Sequence, residues 1–245
     1  MSSVIELLKS HRSIRKFTDQ PIKSELFEDL VKAGQAAATS SFLQGSTIVR
    51  IVNAETRQQI AEIAGGQSHV VTAAEFMVFC ADLKRAGNYC EEYGKSFEGD
   101  YTEHFIIATV DVALMAQNMV TAAESEGLGI CYIGGIRNNP GAVSELLRLP
   151  KGVYPVFGLC LGYPDQNPEI KPRLPVSVIL KEEVYNDTSD REVITKYDKE
   201  IREYYRSRTG GGHEISWSEQ VASLLSEKSR PHMKGFLEEQ GFKFR

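Results

Sequence analysis

The chain has 245 residues, 42% of them hydrophobic, and its 28 Lys and Arg are outnumbered by 33 Asp and Glu for a net charge of −5. This is the composition of a globular protein with a sizeable core, and the acidic balance argues against nucleic acid or an acidic membrane surface as a partner. Glu6 near the start, and Asp111 with Gln117 inside the most apolar stretch, 105–119, lead us to expect neither a secretion signal nor a membrane span.

In chain order, a short helix is expected over Val4–Ser10, followed by a polar turn at His11–Lys16. Ser24 is the expected N-cap of a helix through Ala38, with Leu26, Phe27, Leu30, Val31 and Ala37 on its buried face and Thr39–Ser41 ending it. Ser46–Val52 is β-branched and strand-like, Thr56–Ala64 is helical and ended by Gly65–Gly66, and Glu75–Ala81 is a nearly all-apolar strand. Thr102–Ser125 places Ala, Met and Val on almost every side, which predicts a helix buried all round or shared with another subunit. Asp111 within it is expected as a hydrogen-bonded structural carboxylate at a helix contact. Gly129–Ile133 and Val156–Leu161 are strands, and between them Asn139 caps a helix that starts with Pro140. A proline-punctuated stretch, Pro164–Pro175, leads to helices over Ile194–Arg208, Trp217–Glu227 and Pro231–Gln240, with the Gly210–Gly212 triplet expected to be flexible without a ligand.

The residues exclude several chemistries. Cys80, Cys90, Cys131 and Cys160 show no CxxC spacing, and three of them sit in apolar strand-like runs, which fits a reduced cytoplasm. The five histidines, His11, His69, His104, His213 and His232, form no HxxxH pair, so no metal is expected. There is no GxxxxGK[ST] phosphate loop, and Gly66–Val70 fails the GxSxG pattern at its last position. Gly127–Tyr132 lacks the third glycine of a dinucleotide fingerprint and joins helix to strand rather than strand to helix.

Polar clusters suited to an anionic ligand remain. His11-Arg12-Ser13-Ile14-Arg15-Lys16 puts Arg12 and Arg15 at three-residue spacing, where they can share a turn face for phosphate; a solvated basic turn is the alternative. Lys171-Pro172-Arg173 pairs two cations with proline rigidity, or is a charged loop. Gly134 and Gly135 allow backbone to approach a flat ligand closely, or form an ordinary turn.

Taken in order, HRSIRKFTDQPI, TSSFLQ, GGQSHV, AAEFMVFCAD, AAESEGLGICYIGGIRNNP, FGLCLGYPDQNPEIKPRLP, YDKEIREYY and WS followed by EKSRPH resemble the oxygen-insensitive nitroreductase and flavin reductase family, in its major NADPH-dependent branch. The resemblance covers nearly the whole chain. It implies an α+β nitroreductase-like fold with a mixed, mostly antiparallel central sheet flanked by helices, in an intertwined homodimer. Residues 1–245 are then a single FMN-binding domain with a helical excursion and tail at about 190–245.

Carried over by motif, the resemblance assigns His11, Arg12, Ser13 and Arg15 to FMN, with Lys171 and Arg173 closing around its phosphate. Thr39, Ser40 and Ser41 match a hydroxyl-rich stretch that approaches the flavin from the neighbouring subunit, Thr39 standing where serine is usual. Gln67 matches a ring-contacting amide, and Ile133, Gly134 and Gly135 match a strand end lying against the flavin. Phe42, His69 and Arg230 are implied as substrate contacts. Arg208 matches an arginine that pairs with the 2′-phosphate of NADPH; the alternative is a cation that merely ends its helix. A second basic residue that some relatives carry shortly downstream is replaced by Gly212 and His213.

The activity implied is NADPH-dependent reduction of bound FMN, then transfer of two electrons to nitroaromatics, quinones or free flavin, in two half-reactions at one site. The protein's share is positioning, with Arg15 as the candidate to stabilise charge developing on the flavin, or else a second phosphate contact. Rival readings are a dedicated NADPH:FMN flavin reductase and a non-catalytic flavin-carrying redox protein. The expected setting is cytoplasmic, with small-molecule acceptors and a second copy of the chain as partners.

Overall fold

A computed structural model describes residues 3–245. The chain divides into two compact units, one comprising the residues up to Asn167 together with His232–Arg245, the other Pro168–Pro231.

In the first unit the elements run α1 (Val4–Lys9), α2 (Ser24–Gln35), β1 (Ser46–Arg50), α3 (Ala54–Ile63), α4 (His69–Thr72), β2 (Glu75–Asp82), α5 (Lys84–Glu92), α6 (Thr102–Ser125), β3 (Gly129–Ile133), α7 (Pro140–Leu146) and β4 (Val153–Gly162). The second unit contributes α8 (Val176–Ile179), α9 (Asp190–Thr209) and α10 (Trp217–Ser226), and α11 (Met233–Glu239) returns to the first.

The four strands pair antiparallel in the order β1-β2-β4-β3. Between its end residues Glu75 and Asp82, β2 is apolar because both of its faces are covered. Met77, Phe79 and Ala81 join a core with α6, whereas Phe76, Val78 and Cys80 join a second core with Ile60 and Ala61 of α3 and Val143 of α7. β4 starts at Val153, three residues earlier than the sequence predicts, since Pro155 reads as a break. Pro155 stands opposite Cys80 where the register slips between Phe79 and Cys80, and at such a bulge the ladder does not require the missing N–H.

α2 begins at Ser24 itself, with Lys23 as an N-cap that supplies no side-chain bond, so Ser24 is not the cap. Ile22 and Phe27, at the hydrophobic-staple positions flanking its start, both pack into the same core. α6 has the predicted limits, and it is long and apolar enough to cross a membrane by length and composition. It is not buried all round in this chain. Ala108, Asp111, Val112, Met115, Ala116, Met119, Val120 and Ala123 are buried, but Ile106, Val110 and Leu114 form an apolar stripe that is nearly half exposed.

Within the second unit α9 packs on α10 through buried Tyr197, edge-on to Trp217 at 6.3 Å, and Arg202 pairs with Glu219 at 2.6 Å. Ser216 and Glu219 close a capping box on α10. Gly210 takes φ 60° as the left-handed C-cap of α9, so the first glycine of the triplet ends the helix. Val176, Ile179, Leu180, Val184 and Tyr185 leave an apolar stretch 65–82% exposed.

Candidate functional site

Residues 11–17 are extended rather than turned. Ser13 forms a parallel bridge with Ile130 on β3, Ile14 N donates to Ile130 O at 2.8 Å, and Phe17 pairs with Pro164. Edge pairing overrides the local turn preference of this polar run. Extended backbone sends side chains three residues apart to opposite faces, so Arg12 and Arg15 do not share one. Arg12 and Ile14 line a cavity of about 190 Å³ with Ser10, Glu124 and the 127–129 turn. Arg15 instead reaches toward His69 and Cys131, on both of which its charge acts.

His11 is anchored by Glu124 of α6, Nδ1 to Oε1 at 2.6 Å, which the sequence does not announce because the pair lies far apart in the chain. His69 is buried on the four-residue α4, and its Nε2 has no hydrogen-bond partner. Burial, aided by the Arg15 charge, holds its pKa below the ordinary 6.5, favouring the neutral imidazole. Burial also raises the Cys131 thiol, with Arg15 opposing, and holds Cys160, directly across the ladder, well above its ordinary range; neither is a reactive thiolate.

The Gln67 amide donates to Ala64 O at 2.8 Å. Gly135 follows β3 and its buried terminal residue Ile133, and a Cβ on Gly135 would lie 2.5 Å from Ala64 O and 2.7 Å from Gln67 Nε2. Glycine is therefore required there by close approach, and Gln67, Gly134 and Gly135 form one polar ledge. Thr39 enters a short 3-10 turn at Ser40–Phe42. Its Oγ1 is buried without a partner, while Phe42 stands 81% exposed. Asp111 accepts from Ser40 N and Gly45 N, and so is the structural carboxylate expected from its place in the helix.

In the second unit, Lys171 Nζ donates to Tyr205 Oη at 2.6 Å and Arg173 to Lys171 O at 2.9 Å. Arg208 lies in the last turn of α9, donating to Tyr204 Oη at 3.2 Å. Arg230 adopts a left-handed φ of 49°. The structure thus places Arg15 where its charge is felt by His69 and Cys131, and separately brings Gln67 against Gly135.

Comparison with known proteins decides the family. The profile described as the nitroreductase family matches residues 8–163, and that of its C-terminal domain matches residues 171–245. The chain belongs to the nitroreductase family.

This nitroreductase-family chain is 44% identical over 99% of both chains to the oxygen-insensitive NADPH nitroreductase of Salmonella typhimurium, and 43% identical over 99% of both to an FMN reductase (NADPH) of Bacillus subtilis. A solved nitroreductase structure from Bacillus subtilis superposes with a TM-score of 0.95 at 42% identity, covering 99% of this chain and 100% of that one. The fold is that of nitroreductases, α+β around a central antiparallel sheet, as the motif resemblance implies.

Proposed function

We propose that this chain is an FMN-containing, NADPH-dependent oxidoreductase that reduces small-molecule acceptors, nitroaromatics, quinones or free flavin, in two half-reactions at one site. The observation that carries the reading is the polar inventory around the end of β3. Buried His69 Nε2 has no partner within the described chain, Gln67 and Gly135 pack against each other just past the strand end, and on the separate α2–β1 loop Thr39 Oγ1 is also buried without a partner. These residues fit FMN. Bound FMN supplies hydride acceptance and two-electron delivery, which no side chain provides.

The chain's own residues bind and orient. His11, Arg12 and Ser13, with Lys171 and Arg173, are proposed to hold the phosphate through charge-assisted hydrogen bonds. Arg15, which shares its face of the extended segment with His11 and Ser13, is proposed to lie by the ring and to stabilise negative charge there, a second phosphate contact being the alternative. Gln67, Ile133, Gly134 and Gly135 line one side of the ring, with Thr39, Ser40 and Ser41 supplied by a second copy. Phe42, His69 and Arg230 face the acceptor, His69 as an uncharged donor or acceptor, and Arg208 holds the NADPH 2′-phosphate.

A homodimer is proposed, supported by the Ile106, Val110 and Leu114 stripe and the apolar 176–185 stretch, both of which lack cover in the single chain. The whole chain, 1–245, is proposed to act as one cofactor-binding domain. Four free cysteines, with Cys131 facing Cys160 across β3 and β4, support a reducing cytoplasm.

The test is the visible spectrum of the purified protein. Yellow, FMN-loaded protein that bleaches anaerobically with NADPH faster than with NADH, and recolours with a nitrofuran, supports the reading. Colourless protein that takes up no added FMN refutes it, and bleaching without turnover on any acceptor leaves only a flavin carrier.

A further inference from the structure

The loop between α2 and β1 hangs on one buried side chain. Asp111, 1% exposed in the middle of α6, accepts the backbone N–H of Ser40 on Oδ1 at 3.1 Å and that of Gly45 on Oδ2 at 3.4 Å. Between these anchors Ser41, Phe42 and Gln44 have φ of 49°, 57° and 52°, a region that L side chains rarely adopt. Three such residues in so short a span persist only when the surroundings over-determine them. A carboxylate does so here, because it offers an acceptor to each of two N–H groups, whereas an amide offers one and turns its NH₂ on the other. Immediately before the first anchor lies Thr39, whose buried Oγ1 lacks a partner in the chain.

We infer that Asp111 is a positioning residue: its carboxylate clasps both ends of the 40–45 loop and thereby presents the Thr39 hydroxyl and the Phe42 ring to cofactor and substrate, touching neither itself. The inference deepens the proposed function and rests on its reading that residues 39–41 contact FMN. It also gives α6 two tasks, since the helix that supplies the exposed Ile106, Val110 and Leu114 stripe sets the loop from an adjacent, buried face.

The experiment compares wild-type protein, Asp111→Asn and the pair Thr39→Ala with Ser40→Ala. Amide hydrogen exchange is followed over 39–45, FMN affinity by flavin fluorescence, and the bound flavin by visible circular dichroism. In Asp111→Asn, exchange at Ser40 and Gly45 should rise at least about tenfold with β2 and β4 unchanged, and the FMN dissociation constant should rise about tenfold with an altered flavin dichroism. Adding Gln44→Gly, which removes the cost of a left-handed φ, should recover part of that affinity. Unchanged exchange at the two amides overturns the clasp, and a loosened loop with undiminished FMN affinity overturns the positioning role. If only the Thr39 and Ser40 pair leaves affinity intact, the reading that this stretch touches FMN falls, while exchange still decides the clasp. Wild-type protein supplies an arm that needs no substitution: Ser40 and Gly45 amides exchanging at the rate of unbonded surface amides would also overturn it.

Discussion

Gly135 and Gln67 meet so closely that a Cβ on the glycine would stand 2.7 Å from the Gln67 amide nitrogen and closer still to the Ala64 carbonyl. The carbonyl is backbone at the end of α3 and cannot swing aside. Gly135→Ala should therefore cost about 1–3 kcal/mol of stability by overpacking and push Gln67 out of line. Thermal unfolding and flavin content of the purified variant measure both effects. A variant with wild-type melting and stoichiometric FMN would contradict the ledge.

His69 sets a pH dependence whose sign follows from burial. Its native pKa lies below the ordinary 6.5 through burial first and the Arg15 charge second. Above about pH 6.5 native and unfolded chains both hold it neutral. As the pH falls below that value the unfolded chain takes up a proton that the native state refuses, so stability declines until the native midpoint is passed. NMR titration should place that midpoint under 6.5, Arg15→Gln should move it upward, and His69→Gln should flatten this part of the stability profile. A midpoint at or above 6.5 in the wild type is the contrary result.

The stripe Ile106, Val110 and Leu114 is apolar, regularly spaced and nearly half exposed in the single chain. If a second copy covers it, Val110→Arg replaces an apolar contact worth roughly 1.5–3 kcal/mol with a buried charge. Sedimentation should then show wild-type dimers at micromolar concentration and a variant that is mostly monomer with depleted flavin. A flavin-loaded wild-type monomer, or an undisturbed variant dimer, would remove α6 from the interface.

Arg208 is exposed and rests on Tyr204, with the hydroxyl at 3.2 Å and the ring 6.0 Å away. If it grips the 2′-phosphate, Arg208→Ala should raise KM for NADPH about one to two orders of magnitude, a loss of roughly 1.5–3 kcal/mol, and leave NADH little changed. Equal effects on both donors, or a change in melting temperature alone, would reduce Arg208 to a helix-terminal cation.

Elements with a local signature were legible. The apolar run of α6 and the Asn139–Pro140 start of α7 both stand where the sequence predicts them. The four-residue α4 is too short to show a period, and α5 is amphipathic but polar on average, so its composition reads as loop. Pro155 hid the start of β4, since its tolerance depends on a bulge in a different strand. The candidate site was legible as a set of motifs but not as an arrangement. Nothing near residue 11 signals that Glu124 will hold His11, nor near residue 40 that Asp111 will hold Ser40. The same absence of local signal turned Ser13 from an expected turn into a bridge partner of Ile130.

That bridge has a consequence for solubility. β3 is the last strand of the sheet, and its outer backbone groups at Ile130 are occupied by the 11–17 segment. The six residues His11–Lys16 therefore act as a guard rail as well as a ligand motif: they cap an apolar edge, Gly129–Ile133, that would otherwise template pairing with another chain. A chain lacking residues 1–16 should turn turbid on concentration under conditions that keep the intact protein clear, and light scattering would record it.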